Sequence, residues 1–98
     1  MKEQQRLVKS VDDFSESMKG RLLEKLEEGF EGWDSEEIIE TGDILWRVFD
    51  KIQFLIKSYF KRETELEEIE EQLKNCVDVS NFMMMLSKRL QKQTQLTI

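Results

Sequence analysis

The chain has 98 residues, of which 39% are hydrophobic and 37% charged, and its formal net charge is −6. This length allows a single domain with a thin core, and small domains often gain stability by oligomerising. The acidic balance argues against a nucleic-acid backbone as the main partner. The absence of histidine and the single cysteine disfavour a structural zinc site and remove the Ser-His and Cys-His modes of nucleophilic catalysis.

The composition and periodicity predict an all-α domain that spans residues 1–98. Proline is absent and three of the four glycines fall between residues 29 and 42, which favours long uninterrupted helices. Hydrophobic residues at helical spacing predict a first amphipathic helix over residues 8–30, which Gly29 and Gly32 end. Residues 1–8 are polar, and we expect them to be flexible.

Two further helices follow the glycine-containing loop. The second helix is predicted over residues 43–60, and a short connection follows at residues 61–63. A capping box at residues 64–67 starts the third helix, which runs to about Leu90. Because the connection is so short, we expect these two helices to form an antiparallel hairpin. The tail, residues 91–98, is expected to be flexible. The longest apolar run is far shorter than a membrane span, and the single cysteine fits a reducing compartment, so a soluble cytoplasmic protein is expected.

A helical segment in the third helix, residues 75–86, begins with polar side chains and then becomes apolar on every side. Such a helix must be covered all round, and a short chain has little material to do this alone. We therefore expect a second copy of the chain to cover it, with the run Met83, Met84 and Met85 in the interface. Cys76, on an apolar stripe with Leu66 and Leu73, is expected to be buried.

The predicted hairpin brings polar residues of the two helices to the same level. Asp50 is level with Asn75, and Arg47 is level with Asp78, while Glu71 shares a face of the third helix with Asn75 and Asp78. A cluster of oxygen ligands of this kind suits Mg²⁺. The alternative is ordinary ion pairing, in which Arg47 binds acids of its own helix or reaches Asp78 across the hairpin.

Residues 75–84 have the sequence Asn-Cys-Val-Asp-Val-Ser-Asn-Phe-Met-Met. This run resembles the second motif of the MazG-like all-α nucleoside triphosphate pyrophosphohydrolases, Glu-x-x-Asp followed by Val-x-Asn-Phe. Residues 25–28 and the triplet 32–34, Gly-Trp-Asp, resemble the Lys-rich helix and Gly-Trp loop of phage-type members. Residues 44–55 lie where the family has its first motif, Glu-Glu-x-x-Glu, and the resemblance covers roughly residues 18–90.

The resemblance implies an all-α protein that works as a dimer or tetramer and binds Mg²⁺ between its helices. It also implies cleavage of a nucleoside triphosphate into a monophosphate and pyrophosphate. The first motif falls on Asp50, Lys51 and Phe54, and the Glu of the second motif falls on Asn75, so only Asp50 and Asp78 remain of the four ligand acids. The expected metal ligands are therefore Asp50 and Asp78, assisted by Asn75 and Glu71, and the catalytic base is not identified.

The expected substrate-binding residues are Trp33, Arg47 and Lys51. Trp33 lies in the glycine loop, where an aromatic face could stack on a nucleobase, although a tryptophan in a small helical domain also serves as core or interface. Lys51 could bring a positive charge to the site and compete with the metal. The chain is thus expected to be a divergent pyrophosphohydrolase of weak or lost activity, and the alternative is a non-catalytic oligomerisation module that kept the fold.

Overall fold

The computed structural model describes residues 2–35, 37–61 and 65–96. Three helices account for most of them: α1 (Lys2–Glu27), α2 (Thr41–Tyr59) and α3 (Leu66–Leu96). The described residues contain no strand, so the prediction of an all-α chain with three main helices is confirmed.

The helix boundaries agree with the predictions to different extents. α2 begins two residues before its predicted start, whereas α1 already begins at Lys2 and α3 continues to Leu96. The segments 2–8 and 91–96 are therefore helical, and their flexibility stays a prediction. The predicted capping box depends on Thr64, which lies outside the described residues. None of the helices in the described ranges is both long enough and apolar enough to cross a bilayer.

Gly29 ends α1 in the way that its position predicts. Its φ is 95°, a left-handed conformation that only glycine adopts without strain. The Gly29 amide donates to the Leu26 carbonyl at 3.1 Å, and the Phe30 amide donates to the Lys25 carbonyl at 2.9 Å. This pair of hydrogen bonds is the Schellman motif, which satisfies two carbonyls that the helix end would otherwise leave without donors.

Gly32 directs the loop between α1 and α2. Its φ is 75°, and a Cβ atom placed on it would lie 2.6 Å from Cδ1 of Ile38. Both the backbone conformation and the close approach of Ile38 therefore require glycine here. The loop folds back so that Trp33 and Ile39 pack against the core.

Helices α1 and α2 each pack against α3. Thr41, Lys51 and Ser58 of α2 contact, in that order, Arg89, Asn75 and Glu68 of α3. Rising residue numbers in α2 are thus paired with falling numbers in α3. The turn predicted to join them, residues 61–63, falls mostly outside the described residues.

The hydrophobic core is very small. Its buried members are Ile44 and Val48 of α2 and Phe82 and Met85 of α3. Seven half-buried side chains surround them: Leu22, Phe30, Trp33, Ile39, Val79, Met84 and Leu86. Met84 and Met85 therefore belong to the core of the chain itself, and only Met83 of the three methionines is exposed.

The apolar stripe predicted along the first half of α3 is not covered within the chain. Leu66, Ile69 and Leu73 are 45% to 70% exposed. Cys76, on the same stripe, is also exposed, so the prediction that it is buried is wrong. The opposite, polar side of α3 faces the other helices and buries Asn75 and Asp78. Periodicity identified the residues that share a face, but the packing of α1 and α2 determined which face is buried.

Candidate functional site

A cleft of about 360 Å³ lies where the end of α1, the middle of α2 and the middle of α3 meet. Its apolar lining residues, which we call the apolar wall, are Leu22, Phe30, Phe82 and Met85. Its charged lining residues, which we call the charged wall, are Arg21, Lys25, Arg47, Asp50, Lys51 and Asp78. The lining thus holds four cationic residues and two acidic ones, although the whole chain has a net charge of −6. Glu24 and Glu28, which pair with Arg21 and Lys25, do not line the cleft.

Asp78 belongs to the charged wall and is buried. Its Oδ1 atom accepts a hydrogen bond from Nε of Arg21 at 3.0 Å, and its Oδ2 atom lies 3.2 Å from Nζ of Lys51. The bond with the Asp78 carboxylate raises the pKa of the Arg21 guanidinium. Both oxygens of Asp78 are therefore bound by cations, one from α1 and one from α2.

Lys51 connects Asp78 to Asn75. Its Nζ atom also donates to Oδ1 of Asn75 at 3.3 Å. Asn75 and Asp78 are three residues apart and thus neighbours on one side of α3. The two oxygens that the sequence assigned to a metal ion converge instead on one lysine ammonium.

The remaining predicted ligands lie close by without forming a metal centre. Asp50 lines the cleft together with Asp78, and it also lines a shallower depression with Asn75 and Glu71. The structure thus brings all four predicted ligands to one region. Within residues 2–35, 37–61 and 65–96, however, no three His, Cys, Asp or Glu side chains are close enough together to hold a metal ion.

Arg47 lines the cleft but does not form the ion pairs that were the alternative prediction. The partners of Asp78 are Arg21 and Lys51, and in the described part of the chain no acid pairs with Arg47. The prediction of an Arg47–Asp78 bridge across the two helices is therefore wrong. The physical reason is that α1 supplies a guanidinium that approaches Asp78 from the other side.

Trp33 does not line the cleft, because it packs half-buried against the core. Its carbonyl oxygen accepts a hydrogen bond from Nη2 of Arg89 at 2.9 Å, and Nη1 of Arg89 donates to Oγ1 of Thr41 at 2.9 Å. Buried Arg89 of α3 thus binds both the middle of the loop and the first residue of α2. The other tryptophan, Trp46, is exposed and makes an edge-to-face contact with Phe49.

Arg21 and Asn81 were not predicted as site residues. Arg21 binds Asp78 from 57 positions away in sequence. Asn81 is buried at the cleft, and its Nδ2 atom donates to the carbonyl of Met18 at 3.2 Å. The sequence shows that Arg21 and Lys25 lie four residues apart and therefore share a side of α1, but it gives no signal that this side faces Asp78.

Comparison with known proteins adds no relative, because no family model, curated protein or solved structure matches this chain.

Proposed function

We propose that the protein is a divergent MazG-like nucleotide-binding protein that takes a nucleoside triphosphate into the cleft between its three helices. Hydrolysis of that ligand to a monophosphate and pyrophosphate, the reaction of the resembled family, is expected to be weak or lost. The observation that carries the proposal is the cleft itself, in which Asp50 and Asp78 share a wall with four cationic side chains. The resemblance of residues 75–84 to the second family motif supports the same proposal.

The two walls of the cleft suit the two parts of a nucleotide. Phosphate groups are attracted by Lys25 and Arg47, and a guanidinium can bind a phosphate through two parallel hydrogen bonds. The base and sugar would lie against the apolar wall, where the rings of Phe30 and Phe82 offer surfaces for contact. The volume of about 360 Å³ is within the range of small-molecule sites.

Equilibrium binding of a panel of nucleoside triphosphates, with and without Mg²⁺, tests this proposal, together with an assay for pyrophosphate release. Arg47→Gln is expected to weaken binding by about tenfold, since it removes one charge-assisted contact. Lys57→Gln is the matched control, because Lys57 is exposed on α2 and does not line the cleft. Failure of every nucleoside triphosphate to bind the native protein under both conditions would exclude the proposed function.

The second candidate is a self-assembling helical module, and exposed apolar residues at coiled-coil spacing favour it. On α2 these residues are Leu45, Phe49, Ile52 and Ile56, and on α3 they are Leu66, Ile69 and Leu73. Each set alternates steps of three and four residues, the pattern by which helices pack into each other's grooves. Because only four hydrophobic side chains are buried among those that the structure describes, we propose that α2 and α3, arranged as a hairpin, associate with further copies to form a homodimer or homotetramer.

Sedimentation equilibrium tests the assembly separately from nucleotide binding. The native protein is expected at a multiple of the 11.8 kDa chain mass, and Leu73→Glu is expected to shift it towards the monomer. Lys74→Glu places the same carboxylate at the next, exposed position as a control. A native protein that stays monomeric at high concentration would rule out assembly, whereas assembly without nucleotide binding would favour this second candidate. We expect the protein to act in the cytoplasm in either case.

A further inference from the structure

We propose that the Lys51 ammonium takes the place of a divalent cation in the cleft, so that phosphate groups bind there without Mg²⁺. This inference rests on the proposed nucleotide-binding function and specifies how the ligand is held. In the charged wall, Nζ of Lys51 lies 3.2 Å from Oδ2 of Asp78 and 3.3 Å from Oδ1 of Asn75.

The donor set around Lys51 does not fit Mg²⁺. That ion requires several oxygen ligands in octahedral geometry and negative charge to offset its loss of water. Here one oxygen of Asp78 is bound by Arg21 and the other by Lys51, and Asn75, the other oxygen ligand of Lys51, is neutral. A divalent ion at these oxygens would also lie beside two fixed cations, which repel it.

The ammonium supplies at this position what a metal ion would supply, namely positive charge held in place by a carboxylate. Within the cleft lining, Arg21 and Lys51 carry two positive charges against the single charge of Asp78. Arg21 also pairs with Glu24 at 3.1 Å, but Glu24 is exposed and does not line the cleft. Their side chains are only 23% and 29% exposed, which limits screening by water. An anion that enters the cleft therefore meets a positive wall before any cation from solution has bound.

Two further cations on the same cleft point to a ligand with several phosphate groups. Arg47 has no acid as partner within the described ranges, and Lys25 has only Glu28 at 3.4 Å, with side chains that are 38% and 62% exposed. Both are therefore available to a ligand, in contrast to Arg21 and Lys51, whose positions are fixed. The cleft therefore presents two cations in fixed positions and two that are free to move towards a ligand. Four cations can contact several phosphate groups at once, so they suit an extended polyphosphate better than a single phosphate.

The first experiment measures the affinity of the native protein for a ribose-labelled fluorescent ATP, with excess EDTA and with excess MgCl₂. We expect binding at least as tight in EDTA, because Mg²⁺ neutralises part of the triphosphate charge that the cleft attracts. Lys51→Gln is expected to weaken binding in EDTA by about tenfold, since it removes one charge-assisted contact. Lys57→Gln again serves as the control on α2.

The second experiment replaces the ammonium with a carboxylate and follows thermal stability with Mn²⁺ alone. Lys51→Glu places three oxygen-bearing side chains, those of residue 51, Asn75 and Asp78, around the position that the ammonium leaves. We expect Mn²⁺ to raise the melting temperature of this variant and to leave that of the native protein unchanged, because only a ligand of the folded state stabilises it. Lys57→Glu changes the charge equally on exposed α2 surface and should show no such shift.

The outcomes distinguish this inference from the proposed function. Nucleotide binding that occurs only with Mg²⁺ would overturn the inference and leave the proposed function in place. A native protein that Mn²⁺ alone stabilises as much as it stabilises Lys51→Glu would overturn the inference as well. No binding in either condition would remove the proposed function and the inference together. If Lys51→Glu does not fold, the comparison of Lys51→Gln with native protein in EDTA still decides the matter.

Discussion

Asp78→Asn is the substitution for which the structure gives the most detailed expectation. The asparagine keeps the size and shape of the side chain, removes its charge and replaces one acceptor oxygen with an NH2 donor. The Asp78 side chain is 11% exposed and contacts two cations, Arg21 at 3.0 Å and Lys51 at 3.2 Å. The variant therefore leaves two partly buried cations facing a neutral amide.

The magnitude follows from these two contacts. A hydrogen bond to a charged group contributes about 1.5–3 kcal/mol, and removing one partner of a buried pair costs more than the pair itself contributes. Because Arg21 and Lys51 keep some access to water, part of this loss is recovered by hydration. We therefore expect the free energy of unfolding to fall by about 2–4 kcal/mol, a large part of the roughly 5–15 kcal/mol that holds a small domain together.

Urea denaturation at fixed protein concentration measures this change. The midpoint should move to lower urea with the slope unchanged, because the surface exposed on unfolding stays the same. The loss should be equal with and without Mg²⁺, since the partners of Asp78 belong to the protein. Asp12→Asn, at an exposed position of α1, should change stability by less than about 0.5 kcal/mol.

A double-mutant cycle of Asp78→Asn with Lys51→Met isolates the contact between these two side chains. A coupling energy of about 1–2 kcal/mol is expected for groups in direct contact. A stability of Asp78→Asn equal to that of the native protein, or a loss seen only in the presence of Mg²⁺, would refute the reasoning that Arg21 and Lys51 hold this carboxylate.

Two further predictions concern acid stability and the loop. The bond from Lys61 lowers the pKa of Glu68, so the stability that this carboxylate contributes is present above its unfolded-state pKa and is lost as the pH falls through the folded-state value. Between neutral pH and about pH 3, Glu68→Gln should therefore lose less stability than the native protein does. An equal loss in the two proteins would contradict the lowered pKa of Glu68. Gly32→Ala should lower the free energy of unfolding by about 1–3 kcal/mol in denaturant titrations, because of the positive φ and the contact with Ile38. Gly20→Ala, in open space on α1, should be neutral or stabilising, and equal losses in both variants would exclude the strain argument.

The helices and the end of α1 could be predicted because their causes are local. Without proline, apolar side chains that recur at helical spacing favour continuous helices, and Gly29 provides the left-handed residue that a Schellman motif needs. The expectation that Asp50 and Asp78 approach one another also used only local information. It came from counting residues on either side of a short connection between two helices. Both residues line the cleft.

The partners of these residues could not be predicted in the same way. Counting positions along α2 and α3 suggested Arg47 as the partner of Asp78, whereas Arg21 of α1 and Lys51 bind it. Arg21 is 57 residues away, and no periodicity within a helix reports on a contact between helices so far apart in sequence. The same limit explains why Cys76 was expected to be buried and is exposed.

The amino-acid sequence is sufficient to predict that this chain is helical, where its glycines interrupt the helices, and which side chains share a face of each helix. These properties follow from backbone conformation and from the period of 3.6 residues, which act over a few positions. The packing of the three helices was needed to learn that the polar face of α3 is buried, that its apolar stripe is exposed, and that a lysine ammonium lies between Asn75 and Asp78. The physical reason is that burial and ion pairing depend on which helix packs on which face, and that choice is made by contacts between distant segments.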